Sequence, residues 1–183
     1  VLRERPDLIA VTGDIIHLYT QKNICVAAEA VSALKEIAPV LYVSGNHEMR
    51  NKGYRGFRKI LIEAGATVLD DTVTAACGIT VAGLNAASLR NDKIQKIPPD
   101  VSPKILLAHE PQFFEKYVGA GYDLVLCGHA HGGQWRIPFT GIGLYAPGQG
   151  KFPKYTAGVH IKDGRAMVIS RGLGNSEFPL RLF

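Results

Sequence analysis

The chain has 183 residues, 46% hydrophobic and 20% charged, with a formal net charge of +5. That is one domain's length, able to bury on the order of 70% of its unfolded surface without disulfide or metal staples. The balance excludes disordered, collagenous and disulfide-scaffold classes.

Leu8–Thr12 is a short, β-branched apolar run that stops at Gly13-Asp14, which predicts a buried strand with a functional loop at its C-terminal end. Ala, Val and Leu at helical spacing follow from Lys22 to Ile37, ahead of Pro39. Val40–Val43 repeats the strand pattern and ends in Ser44-Gly45-Asn46-His47. A second helix is expected over Tyr54–Ala64, closed by Gly65. Strand, helix, strand, helix is the grammar of parallel strands joined by crossover helices, whose ligands sit beyond the strands' carboxyl ends.

From Ala66 the grammar changes. Thr67–Leu69, Thr72–Ala75 and Ile79–Leu84 read as short antiparallel strands with Asp and Gly turns. Asn85–Pro103 is a polar connection with room for a short helix. Lys104–Ala108 is another apolar strand, ending at His109-Glu110-Pro111, and Gln112–Val118 reads as a helix opened by Pro111. Leu124–Cys127 runs straight into Gly128-His129-Ala130-His131. Gly132–Tyr155 is rich in Gly, Pro and aromatics, and its Phe139–Tyr155 part reads as a surface loop packed on itself. Thr156–Ile161 and Arg165–Ser170 form a hairpin turning at Asp163-Gly164. Without repeats or linkers, the whole chain, 1–183, reads as a single domain with mixed sheets.

Cys25, Cys77 and Cys127 form no C-x-x-C and fit reduced thiols. No apolar run reaches the roughly 18 residues of a membrane helix. The main basic cluster, Arg50, Lys52, Arg55, Arg58 and Lys59, reads as a solvated helix face rather than a nucleic-acid patch, so no nucleic-acid partner is expected.

Four strand ends deliver the same kind of cargo: Asp14, then Asn46-His47-Glu48, then His109, then His129 and His131. Imidazole with carboxylate suits Zn, Fe and Mn rather than calcium. A lone Gly-Asp is usually a turn, and a lone histidine usually a satisfied core residue. Two imidazoles separated by one residue are more specific, and the four blocks in order point to a metal site at strand C-terminal ends.

These blocks, GD at 13–14, GNHE at 45–48, His109 and GHAH at 128–131, resemble those of calcineurin-like metallophosphoesterases. GHAHGGQW at 128–135 and SRGLGNSEFPLRLF at 170–183 resemble the bacterial branch with a wall-associated Bacillus phosphodiesterase and UDP-2,3-diacylglucosamine hydrolase-like proteins. The resemblance implies an α/β fold of the four-layer α+β type, mixed β-sheets packed as a sandwich flanked by helices. It implies two divalent transition-metal ions (Mn, Fe or Zn) and hydrolysis of phosphodiester or pyrophosphate bonds by a metal-bound hydroxide. Asp14 would bridge the metals, Asn46, His109 and His129 would complete the second, and His131 would belong to the first. His47 would contact the phosphate and act catalytically, with Glu48 and Glu110 orienting imidazoles, and Gly132 and Gly133 would let the backbone approach the substrate.

The chain departs from the family pattern in three places. No Asp-x-His block precedes Asp14, so the first strand and two ligands of the first metal are expected upstream, and a chain without them is expected to be an impaired fragment with partial metal binding. His17 stands where the family often has Asp or Asn, and is read as a tolerated loop residue. The C-terminus is expected to continue into a Pro- and Glu-containing tail. The resemblance further implies a small-molecule or lipid phosphate-ester substrate, such as UDP-2,3-diacylglucosamine of lipid A biosynthesis. It also implies membrane or cell-wall association of the full-length bacterial protein, through the absent N-terminal segment.

Overall fold

A computed structural model describes residues 1–90, 94 and 103–174. The opening alternation forms as expected: strand β1 (Ile9–Val11), helix α1 (Gln21–Lys35), strand β2 (Val40–Tyr42), a short helix α2 (Asn46–Arg50), helix α3 (Tyr54–Glu63) and strand β3 (Ala66–Val68). Thr20 starts α1 by accepting the Asn23 N–H at 3.2 Å. Gly65, at φ +101°, follows the last turn of α3 in a conformation that costs glycine little.

The strands β1, β2 and β3 form one parallel sheet in that order. Ala66–Val68 therefore corrects the expectation of an antiparallel strand at this point. Helix α3 returns the chain to the start of the sheet, and its Leu61 and Phe57 pack with Val31 of α1 over Tyr42 and Val68. Each such side chain contributes about 1.5–3 kcal/mol by leaving water.

The second sheet has six strands: β4 (Val73–Ala76), β5 (Ile79–Gly83), β6 (Lys104–Leu107), β7 (Leu124–Cys127), β11 (Gly158–Lys162) and β12 (Arg165–Ile169). They lie in the order β11-β12-β7-β6-β5-β4. Its four central strands are parallel, with the antiparallel β4 and β11 as edges. Helices α4 (Ala86–Arg90) and α5 (Phe114–Gly119) cover its outer face through Leu89, Phe114 and Tyr117. A 3-10 turn at Pro111–Phe113 takes the first part of the helix expected at 112–118. Apart from α4, Ile94 and Pro103, the connection 85–103 lies largely outside the described residues, as does 175–183 of the C-terminal motif.

The facing surfaces of the two sheets close on Leu41, Val81, Ile105 and Leu107. The molecule is thus helix, sheet, sheet, helix, the four-layer sandwich that the motifs imply.

Phe139–Tyr155 differs from its expectation as a loop, since strands form within it and just before it. Strands β8 (Gln134–Arg136), β9 (Gly143–Ala146) and β10 (Gly150–Lys151) form a small antiparallel sheet. A Cβ on Gly133 would stand 2.7 Å from both Gly143 Cα and Thr156 Cγ2, so glycine is what lets these segments close. Among the described residues no helix is long and apolar enough to cross a membrane.

Candidate metal centre

Strands β1 and β2 of one sheet and β6 and β7 of the other end at the same side of the sandwich, each passing into a polar loop. The first two loops interlock. Gly13 and Asp14 both adopt positive φ, +85° and +54°, and turn the chain sharply out of the sheet. A Cβ on Gly13 would lie 2.6 Å from Gly45 Cα and 2.9 Å from His109 Nδ1, and one on Gly45 would collide with the Asp14 carboxylate. Glycine at both positions is a condition for the side chains beyond them to meet.

Glu48 binds the two loops together. Its carboxylate accepts the N–H groups of Asp14 (2.9 Å), Ile15 (2.8 Å), Ile16 (3.4 Å) and Gly45 (2.9 Å) and is fully buried. Burial and then the Asp14 charge push this carboxyl up, against the pull of its backbone donors. The sequence placed Glu48 behind an imidazole; it serves the backbone instead. Asp70 fixes the other side of the loop, accepting from Ser44 N (2.9 Å) and Oγ (2.8 Å) and from the Tyr54 hydroxyl.

The side chains converge on one atom. His109 Nε2 lies 3.0 Å from Asp14 Oδ2, 3.2 Å from Asn46 Oδ1 and 2.9 Å from His129 Nδ1. His109 Nδ1 donates to the Thr12 carbonyl at 2.6 Å, so Nε2 is the nitrogen turned toward the other three residues. Ligand atoms of Asp14, His109 and His129 all lie within 4.8 Å of one another.

One ring nitrogen cannot satisfy three such neighbours, whereas a cation placed among them would draw on all four. The charge states agree with this. Burial, followed by the neighbouring His109 charge, pushes His129 down to about 3, leaving its ring neutral and able to donate a lone pair. Burial would raise Asp14, but the His109 hydrogen bond and charge, with the His47 N–H, outweigh it and hold the carboxyl well below its usual range. Burial opposes protonation of His109, yet the Asp14 hydrogen bond and charge raise it overall. A divalent ion would supply the positive charge that Asp14 otherwise draws from His109. The donor set fits a transition metal.

The remaining expected residues fall around this cluster. His47 donates its backbone N–H to Asp14 Oδ1 (2.9 Å), while its ring, 31% exposed, places Nε2 3.8 Å from Asp14 Oδ2. His17, read from sequence as a tolerated loop residue, sets its Nδ1 3.1 Å from His47 Nδ1. His131 is half-buried in the same loop as His129 and outside the group of mutually close ligand atoms. Glu110 is buried, with Oε1 4.0 Å from His129 Nε2. Gly132 and Gly133 are buried, and the open side of Gly132 faces the stem of Arg171, whose Cδ would lie 3.0 Å from an added Cβ.

The Thr12 carbonyl and the His47 backbone N–H are contacts to the cluster that sequence reasoning had no means to find, since backbone groups leave no signature. Glu48 had a readable signal: it stands three residues after Gly45 at a helix start, where a carboxylate reaches back to backbone N–H groups.

Comparison with known proteins agrees with the geometry. The chain is 32% identical over 189 residues to the phosphodiesterase YaeI of Escherichia coli, covering 99% of this chain and 68% of that protein. It is 32% identical over 186 residues to the metallophosphoesterase YkuE of Bacillus subtilis, covering 97% of this chain and 64% of that protein. The chain thus spans about two thirds of these relatives. A solved crystal structure shares the fold at TM-score 0.50 and 9% identity, over 91% of this chain and 80% of its own. The family model described as calcineurin-like phosphoesterase matches residues 1–133, and the chain belongs to that family of metal-dependent hydrolases.

Proposed function

We propose that the domain formed by residues 1–183 hydrolyses phosphoric esters, phosphodiesters or pyrophosphates, at a centre built for two divalent ions of the Mn, Fe or Zn type. The observation that carries this reading is the convergence of Asp14, Asn46 and His129 on His109 Nε2. Asp14 would bridge the ions, with Asn46, His109 and His129 holding one and His131 contributing to the other. Bound there, divalent ions supply Lewis acidity and lower the pKa of a nucleophilic water.

The chain's own groups account for the remaining steps. His109 is held in one orientation by Thr12, so Nε2 is aimed at the site before any ion arrives and would ligate once it gives up its proton. His47, partly exposed beside Asp14, would hydrogen-bond a phosphate oxygen or give a proton to the leaving oxygen. Gly132 and Gly133 would bind substrate through backbone groups of the loop that follows His131, their Cα positions being packed against Arg171, Gly143 and Thr156. The name of the E. coli relative supports a phosphodiester. The GHAHGGQW likeness supports the narrower suggestion of a lipid-linked or sugar-nucleotide substrate such as UDP-2,3-diacylglucosamine. Association of the full-length protein with membrane or wall belongs to the same suggestion.

Activity on a chromogenic aryl phosphodiester, measured in the full-length protein with Mn, tests this reading. Chelator should abolish turnover, and Asp14→Asn and His129→Ala should each lower it by roughly 100-fold or more, the scale of losing a group that organises transition-state charge. Unchanged activity in either variant would mean that the site is wrongly assigned.

A second reading, a catalytically impaired chain holding one ion, is favoured by the single close donor group found among the described residues, Asp14, His109 and His129. Metal analysis decides between them: about one tightly held ion per chain of this sequence supports the impaired form, and two support the active one.

A further inference from the structure

The small sheet that leaves the metal loop is unlike the rest of the surface. From Leu124 to Lys162 the chain carries no Asp or Glu, while Arg136, Lys151, Lys154 and Lys162 are basic. Lys162 is paired with Glu115. Arg136 is spent on the carbonyls of Gly132 (2.8 Å) and Gly141 (3.0 Å), which leave its charge uncompensated. Lys151 and Lys154 are exposed, and no described carboxylate pairs with them.

The same sheet holds every aromatic among the exposed large hydrophobics of the described residues: Trp135 (54%), Phe139 (102%), Tyr145 (40%) and Phe152 (68%). They are not scattered. The β8–β9 turn is closed by Ile137 N–H donating to Ile142 O (2.9 Å) and by Thr140 Oγ1 donating to Ile137 O (2.9 Å). It holds Phe139 at φ +64°, a costly conformation for a bulky side chain, and exposed. Phe152, just past β10, donates its N–H to Leu144 O at 3.0 Å and so lies toward this turn end, near Ile142. An ordered turn that spends backbone strain to present apolar side chains is an interaction surface.

We propose that this tip, Ile137, Phe139, Ile142 and Phe152 with Lys151 and Lys154, docks the protein on an anionic phospholipid surface. Aromatic and aliphatic side chains enter the headgroup boundary while lysines meet the anionic lipid, and neither signal alone anchors firmly. A soluble polyanion would engage the lysines and leave Ile137 and Ile142 in water. A second copy would set basic surface against basic surface. Strand β8 is three residues long, so the tip stands only about 10 Å from the Gly132-Gly133 root at roughly 3.3 Å per residue. Docking there would hold the metal crevice beside the membrane surface.

Vesicle co-sedimentation of the whole chain tests the proposal, and its readout does not depend on catalysis. The protein should bind vesicles of phosphatidylcholine mixed with phosphatidylglycerol much more strongly than phosphatidylcholine alone. Phe139→Ser with Phe152→Ser, and separately Lys151→Glu with Lys154→Glu, should each weaken binding by roughly tenfold or more. Both variants alter exposed side chains, so circular dichroism and hydrolysis of a soluble aryl phosphodiester should match wild type. Vesicle binding unchanged by the phenylalanine pair would overturn the proposal. Equal retention on soluble polyphosphate, lost only with the lysines, would overturn it in favour of a polyanion. Dimerisation without vesicles, abolished by the phenylalanine pair, would overturn it in favour of self-association.

Discussion

A carboxylate sealed from water is costly unless its oxygens are fully engaged, and Glu48 is engaged by four backbone N–H groups from two loops. Removing it leaves those donors without an acceptor. Glu48→Ala should therefore destabilise the protein by about 3 kcal/mol or more, at roughly 1 kcal/mol per orphaned buried donor. Glu48→Gln keeps one acceptor oxygen and should cost less, while exposed Glu63→Ala should lie within about 0.5 kcal/mol of wild type. Urea unfolding measures all three, and equal midpoints for Glu48→Ala and wild type would refute the role. The contrast between Glu48 and its neighbours marks how far the site was legible. Asp14, Asn46, His47, His109 and His129 were readable because ligand-type residues at strand ends are poor choices for packing. The ties behind them were less so: Glu48 was read as supporting a side chain, and the Thr12 carbonyl is chemically the same as any other residue's. His17 touches His47 because two loops distant in sequence meet, which residue types alone do not disclose.

At the scale of elements, the parallel strands and their helices were legible because apolar runs and helical periodicity repeat with one meaning. β3 was misread because Asp and Gly on either side of it mimic hairpin turns, while its partner is set by the reach of α3 back along the first sheet. The β8–β10 sheet was hidden by strands of two to four residues separated by Gly and Pro, too short for any period to show. Gly133 sits where that sheet meets the metal loop, and two demands on it can be separated. Its φ of +71° and its closeness to Gly143 and Thr156 make Gly133→Ala a collision as well as a strained conformation. A loss of about 2–3 kcal/mol in urea unfolding is expected from the two together. If glycine served only the approach of substrate, stability would be unchanged and KM alone would rise.

For the molecule as a whole, the ligand set crosses the sandwich: Asp14 and Asn46 follow β1 and β2 of one sheet, and His109 and His129 follow β6 and β7 of the other. The facing surfaces between the sheets are apolar and non-directional, so these loops are where a bound ion would add a directional link between the layers. An ion that binds the folded arrangement and not the unfolded chain stabilises by mass action, about 2.7 kcal/mol at a hundredfold excess over its Kd. For a chain of this size that corresponds to a rise in Tm of roughly 5–10 °C. Thermal unfolding of chelator-treated protein, repeated with added Mn or Zn, should show the rise. Asp14→Asn and His129→Ala should reduce it, since each removes a donor on one side of the interface. Loss of the rise in a variant on either sheet would place the ion between the sheets. A rise that persists undiminished in both variants would locate the stabilising ion elsewhere and separate metal binding from this centre.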